Sequence, residues 1–335
     1  MEAAFLAWGK FALCLIAIGF AGPQLTRYGD KIANIMGLSR TWVGLVLLAT
    51  ATSLPELFTG LSSVLVADLP EIAVGNALGA CVLNLALLVV LDEASRKEPM
   101  YRRIDQGHIL AAGFGVVMIG AAGAMLLLSH NAIAFSFLHV SGFAPIIIVI
   151  YIVAMRATFT YERRMRPPAG LVVKEDMTLA QALSRYGAAA AVVVAAGIWL
   201  PFIGAEIAAA MAWKTTFVGT LIITAATSMP ELVVTISALR LGAVDMAIGN
   251  ILGSNLFDIL ILAIDDLAYG KGPLLASVSP THAITAFAGV IMSGIFIIAL
   301  LFKPHTRIGG LVGWVSLALL LVYLASAYVS FALGQ

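Results

Sequence analysis

The sequence predicts an all-α polytopic membrane protein, with ten transmembrane helices in two inverted five-helix repeats and helices 2, 3, 7 and 8 forming the core. Three observations carry that expectation. Of the 335 residues, 61% are apolar and 11% charged, which is more hydrocarbon than one water-soluble core can hide. Apolar stretches of about 20 residues, the length a helix needs to cross a bilayer, recur along the whole chain. The second half also repeats motifs of the first at a nearly constant offset.

Taken in order, the first five spans are expected at residues 3–22, 41–66, 70–91, 107–128 and 132–155. Residues 1–22 have the length of a secretory leader, but Glu2 and Phe5-Leu6-Ala7-Trp8 stand where a leader has its basic start, so the stretch is read as a span. Arg156 to Arg185 is polar and too short for a folded domain, and is read as a central loop. The second set of spans is expected at 182–205, 215–239, 243–265, 281–302 and 309–332. The organisation is therefore a first repeat over 1–155, a cytoplasmic linker over 156–181 and a second repeat over 182–335.

Basic residues give the orientation. With the amino end outside, sixteen Lys and Arg fall on the inner side, among them Arg27, Lys31, Arg40, Arg96, Lys97, Arg102, Arg103, Arg163, Arg164, Arg166, Lys174 and Arg240. Only Lys214 and Lys271 fall outside, with Lys10 inside the first span. This asymmetry places both termini extracytoplasmically in a cell (inner or plasma) membrane. The formal net charge of +1 gives no footprint for nucleic acid. Cys14 and Cys81 lie inside apolar spans, where packing is the simplest role.

The repeat is explicit. Thr52-Ser53-Leu54-Pro55-Glu56-Leu57 is answered 175 residues later by Thr227-Ser228-Met229-Pro230-Glu231-Leu232. After a one-residue gap the offset is 174, relating Gly75-Asn76-Ala77-Leu78-Gly79, Asn84 and Asp92 to Gly249-Asn250-Ile251-Leu252-Gly253, Asp258 and Asp266. The two motif regions run over 41–92, from Thr41 and Gly44, and 216–266, from Thr216 and Gly219. Five spans per half is an odd number, so the second copy enters the membrane from the opposite side, the architecture of alternating-access transporters.

Glu56 and Glu231 lie near the middle of the second and seventh spans, with no Lys or Arg in either span before Arg240. A carboxylate there costs at least about 2.5 kcal/mol, and a bound cation is the natural partner. Pro55 and Pro230 lack the N–H that would bond the carbonyls of Ala51 and Ala226. Thr52, Ser53, Thr227 and Ser228 can share a helix face with the glutamates. Asn76, Ala80 and Asn84 recur every fourth residue on the third span, as do Asn250, Ser254 and Asp258 on the eighth. Gly75, Gly79, Gly249 and Gly253 thin the backbone beside these stripes for close helix approach. Carboxylates, amide and hydroxyls together suit a hard cation such as calcium, or sodium; softer metals would want Cys or His.

These motifs, with Gly249-Asn250-Ile251-Leu252-Gly253-Ser254-Asn255-Leu256-Phe257-Asp258, resemble the two alpha repeats of the calcium/cation antiporter superfamily, in its sodium/calcium exchanger-like branch. The resemblance implies exchange of calcium against sodium, with Glu56 and Glu231 as central calcium ligands assisted by Thr52, Ser53, Thr227 and Ser228. It also implies that Asn84, Ser254 and Asp258 complete the ion site. No cofactor is implied: Ca2+ and Na+ are cargo, and membrane lipid is the remaining partner. One departure is Gly79-Ala80-Cys81, where the family commonly has Gly-Ser-Asn; the missing hydroxyl leaves the coupling ratio or the coupled ion open, and a proton-coupled divalent-cation antiporter is the alternative. A channel fits the inverted repeat poorly, and an intramembrane enzyme would need room for substrate and water.

Other polar residues have plainer readings. Asn76 and Asn250 can hold packed helices together. Asp92, Glu93, Asp265 and Asp266 lie at span ends, where a local structural role is simplest. His108 and His282 are read as helix-end contacts, and Arg163-Arg164-Met165-Arg166 as an anchor for the linker beside anionic lipid.

Overall fold

A computed structural model describes residues 2–95, 100–130, 136–137, 140–165, 176–211, 224–304, 307–308 and 312–333. Its longer helices among the described residues are α1 (Glu2–Met36), α2 (Arg40–Ala67), α3 (Pro70–Ala94), α4 (His108–Ser129), α5 (Phe143–Met165), α6 (Leu179–Met211), α7 (Met229–Arg240, preceded by the short helix Thr224–Thr227), α8 (Val244–Ala268), α9 (His282–Phe302) and α10 (Trp314–Leu333), with short helices at Met100–Arg103 and Leu274–Ser277. Eight are long and apolar enough to cross a membrane, namely α1 to α6, α8 and α9, and α10 contains a shorter apolar stretch, Trp314–Ser330. The expected seventh span is represented by Thr224–Arg240; its first part, with Thr216, Gly219 and nearby Lys214, lies outside the described residues, as do Arg96, Lys97, Arg166 and Lys174.

Helix ends follow from local chemistry. Gly37 closes α1 at φ 63°, and Leu38 N–H returns to the Ala33 carbonyl at 2.8 Å. Gly242 closes α7 the same way at φ 73°, with Ala243 N–H on Ala238 at 2.9 Å. Only glycine takes this left-handed cap without steric cost. Ser39 caps α2, its Oγ accepting from Trp42 N–H at 3.0 Å.

Three expectations are corrected. Residues 156–165 continue α5 and residues 179–185 begin α6, so the central loop is shorter than read from Arg156 to Arg185. Arg156, Arg163 and Arg164 are good helix formers, and the last two stand at the helix's negative C-terminal end. The starts expected at 132 and 309 are instead occupied in part by two-residue hairpins, Ser136–Phe137 with Val140–Ser141 and Arg307–Ile308 with Val312–Gly313, each antiparallel and each preceding its helix. The first span is also longer than 3–22, because Pro23 is accommodated within α1.

The chain forms two compact units, residues 1–59 with 159–254 and residues 60–158 with 255–335. In the first, α1 packs along α6 through Ala7, Cys14 and Ile18 against Ala196, Leu200 and Ile203. In the second, α3, α4, α5, the end of α8 and α9 share a core that includes Leu78, Met118, Phe143, Ile259 and Ala286. α2, α5 and α8 each run from one unit into the other. Of the most apolar 18 residues of α8, 83% are buried, against 22% for α1, whose Phe5, Leu13, Ile16 and Phe20 are exposed as a lipid-facing helix requires.

Candidate functional site

The two proline motifs fold alike. α2 breaks at Ser53 (φ −90°, ψ 5°), and the helix before α7 breaks at Ser228 (φ −82°, ψ 4°), two residues ahead of each proline. Both serines occupy the bridge region of backbone space. Ser53 N–H still reaches Ala49 at 2.9 Å and its carbonyl accepts from Leu57 at 3.2 Å; Ser228 repeats this with Thr224 at 3.1 Å and Leu232 at 3.2 Å. What each break lacks is the proline donor, which cannot serve Ala51 or Ala226. Pro55 and Pro230 both lie against Gly197 of α6, where an added Cβ would meet the Pro55 ring and come within 3.4 Å of the Pro230 ring.

The breaks bring the expected side chains together in the first unit. Ser53 Oγ donates to Glu231 Oε1 at 3.1 Å, and Ser228 Oγ reaches Glu56 Oε1 at 3.5 Å. Each motif's serine therefore serves the other motif's glutamate. The Thr227 hydroxyl also faces Glu56. Thr52 and Thr227 bond back to carbonyls three residues earlier, Ala49 at 3.3 Å and Thr224 at 3.0 Å. All six side chains are buried, and Glu56 Oε2 has no hydrogen-bond partner among the described residues. A buried carboxylate oxygen without a donor is expensive, so this arrangement is suited to receiving a positive charge.

The start of α8 is held against α2 backbone to backbone. A Cβ at Gly249 would fall 2.6 Å from the Thr41 carbonyl oxygen, and one at Gly253 would strike the Leu45 carbonyl oxygen and lie 2.7 Å from Ala49 Cβ. This is the close approach expected of those glycines; Gly75 instead faces the His282 ring, whose Cε1 would lie 3.2 Å from an added Cβ. Ser254 is buried, and its Oγ has no partner among the described residues. Asn250 accepts from Thr52 at 3.4 Å and donates to Thr235 at 3.0 Å, which fits its helix-holding reading.

In the second unit, Asn84 Nδ2 donates to Asp258 Oδ2 at 3.2 Å. These are repeat-related positions, as are Cys81 and Asn255, whose Sγ and carbonyl approach at 3.7 Å. Asp92 accepts from Ser316 Oγ at 2.7 Å, and Asp266 from Ser141 N and Oγ at 2.9 and 2.8 Å and from Leu274 N at 2.7 Å. Their structural reading holds. His282 bonds Glu71 at 2.7 Å beside the start of α9, a helix-end contact.

Three participants escaped the sequence reading. Gly22, like Gly197, faces the site helices: its Cβ would lie 2.7 Å from Val233. The two glycines are 175 residues apart, the offset of the proline motifs, and that correspondence was the available signal. Tyr186 Oη donates to the Leu47 carbonyl at 2.6 Å, in the wide π-helical turns of Val43–Leu48.

Residues 6–173 and 185–332 match the family model described as sodium/calcium exchanger protein. The chain belongs to that family. It is thus a multi-pass membrane transporter, a cation antiporter by family, and not an enzyme. An uncharacterized membrane protein of Methanocaldococcus jannaschii is 24% identical over 333 residues, covering 96% of this chain and 98% of its own. The inner membrane protein YrbG of Escherichia coli is 24% identical over 321 residues, covering 88% and 95%. The sodium/calcium exchanger MaX1 of Methanosarcina acetivorans is 49% identical over 55 residues, 16% of each chain. The solved structure of the sodium-calcium exchanger NCX_Mj soaked with 10 mM Na+ and zero Ca2+ has the same fold, with a TM-score of 0.75 at 21% identity over 97% of this chain and 99% of that one.

Proposed function

We propose that this exchanger-family member moves calcium against sodium by alternating access, with Glu56 and Glu231 as the central calcium ligands. The observation that carries the reading is the reciprocal pair Ser53 to Glu231 and Ser228 to Glu56, which sets two buried carboxylates among hydroxyls. Hard cations take six to eight oxygen ligands, and Thr52, Ser53, Thr227, Ser228 and Ser254 offer theirs in the same unit. In the second unit, Asn84 and Asp258, hydrogen-bonded to each other at 3.2 Å, are the amide and the further carboxylate that the family resemblance assigns to ion binding. The ions are cargo, and no resident cofactor is needed.

The proposed architecture is two inverted five-helix repeats, 1–155 and 182–335, joined by a cytoplasmic connection over 156–181 whose two ends continue α5 and begin α6, with both termini outside. The offsets of 175 and 174 residues and the distribution of Lys and Arg support it. The second reading, proton-coupled exchange, draws on Ala80, a buried methyl where a serine hydroxyl would help hold sodium. Uptake of radioactive calcium into sodium-loaded proteoliposomes, diluted into sodium-free buffer, separates the two. Sodium-driven uptake supports the first reading, and uptake that follows only an imposed proton gradient replaces it with the second.

A further inference from the structure

α8 carries three acidic residues besides Asp258, namely Asp245, Asp265 and Asp266, and one of them has no role in the site or the fold described above. Asp265 lies seven residues beyond Asp258, two turns or about 10 Å along the helix. At about 100° per residue, positions 254, 258 and 265 fall within roughly 40° of one another, so Asp265 prolongs the polar stripe of Ser254 and Asp258. It is fully buried, and neither carboxylate oxygen has a hydrogen-bond partner among the described residues. Its neighbour Asp266 accepts three hydrogen bonds and plainly has a structural task. Asp265 has none of that support.

The carboxylate is packed against Gly60 of α2, where an added Cβ would collide with Oδ2 and lie 2.8 Å from both Cγ and Oδ1. Gly60 is one turn beyond Glu56 on the same helical segment, Leu54–Ser62. The pairing also breaks the internal repeat. Position 91, which corresponds to 265 at the 174-residue offset, is a buried leucine, and position 235, which corresponds to 60 at the 175-residue offset, is a threonine. An apolar side chain therefore satisfies the fold at the equivalent place, and packing alone gives no reason for a carboxylate at 265.

We propose that Asp265 is an additional cation-binding residue, which takes up the hard metal cation carried by this transporter at a position of its own along the α8 stripe. A buried carboxylate lacking donors is compensated by a bound cation, and its place on the Ser254–Asp258 face makes the transported ion the matching ligand. The inference rests on the exchange reading above and makes the two repeats chemically unequal.

The test compares wild type, Asp265→Asn and Glu56→Gln as full-length protein. Equilibrium binding of radioactive calcium is measured in sodium-free detergent, and sodium-driven uptake in proteoliposomes. Asp265→Asn is close to isosteric, so its melting temperature is expected to stay near wild type. Its half-saturating calcium concentration is expected to rise about tenfold, while uptake at saturating calcium is retained. Glu56→Gln is expected to lose uptake and to keep at most the calcium held at Asp265. An unchanged half-saturation in a folded Asp265→Asn overturns the proposal. So does an unchanged half-saturation with an altered pH profile of uptake, which assigns the carboxyl a proton. A fall in rate by the same factor at every calcium concentration, with a lowered melting temperature, overturns it in favour of a structural role. If wild type binds calcium without sodium-driven uptake, the exchange reading fails, and weaker calcium binding by Asp265→Asn still supports the site. Wild type that neither binds nor moves calcium overturns both.

Discussion

Gly253→Ala is expected to loosen the seam between α2 and α8 and, with it, the proposed ion site. The new methyl would strike the Leu45 carbonyl oxygen and lie 2.7 Å from both Leu45 Cα and Ala49 Cβ. Carbon atoms rest about 3.5–4.0 Å apart, so the helices must separate by roughly 1 Å at this point. All but one of these neighbours are backbone, which has no rotamer to escape into, and overpacking of this kind costs about 1–3 kcal/mol. The same displacement would break the 3.4 Å bond between Thr52 and Asn250 and carry Ser254 away from its position. A thiol-reactive dye provides the assay, because Cys14 and Cys81 are both free and buried and become reactive on unfolding. Gly113→Ala is the control: no side chain or foreign backbone lies within 4 Å of its added Cβ, and alanine is the better helix former by up to about 1 kcal/mol. Gly253→Ala should melt several degrees below wild type and Gly113→Ala at or above it. A Gly253→Ala protein that melts with wild type and transports normally would refute the packing argument.

Three further outcomes follow from the hydrogen bonds. Ser53→Ala removes a well-formed donor to a carboxylate, a contact type that contributes about 1.5–3 kcal/mol, and should raise half-saturating calcium in uptake by about tenfold or more; Ser228→Ala, at 3.5 Å, should have a smaller effect. Asp266→Ala leaves the Ser141 and Leu274 amides without their acceptor and should cost about 3 kcal/mol or more in dye-monitored stability, without changing half-saturating calcium in the protein that remains folded. Asp68→Asn breaks the exposed pair with Lys271 at 2.5 Å and should leave the melting temperature unchanged, because water and salt screen such pairs.

The motifs around Glu56 and Glu231 were legible because membrane burial makes a carboxylate conspicuous, and because the repeat displayed each motif twice. The serine of one motif meeting the glutamate of the other was not legible, since it depends on how the two broken helices cross. Gly249 and Gly253 are close-approach positions in sequence and structure alike, whereas Gly197 is marked in the sequence by its 175-residue offset from Gly22 alone, and its contact with Pro55 and Pro230 is visible only in the fold. The polar loop from Arg156 was misjudged because arginine-rich sequence reads as connection even where it extends a helix. Grouping Asp265 with Asp92 and Asp266 was reasonable from position alone; only the hydrogen-bond partners separate them.

The most direct test of the central claim is sodium-driven uptake of radioactive calcium by wild type, Glu56→Gln and Glu231→Gln, reconstituted at matched incorporation. The account predicts rapid uptake by wild type that needs the outward sodium gradient, and none by either variant. Undiminished uptake by both variants would contradict it.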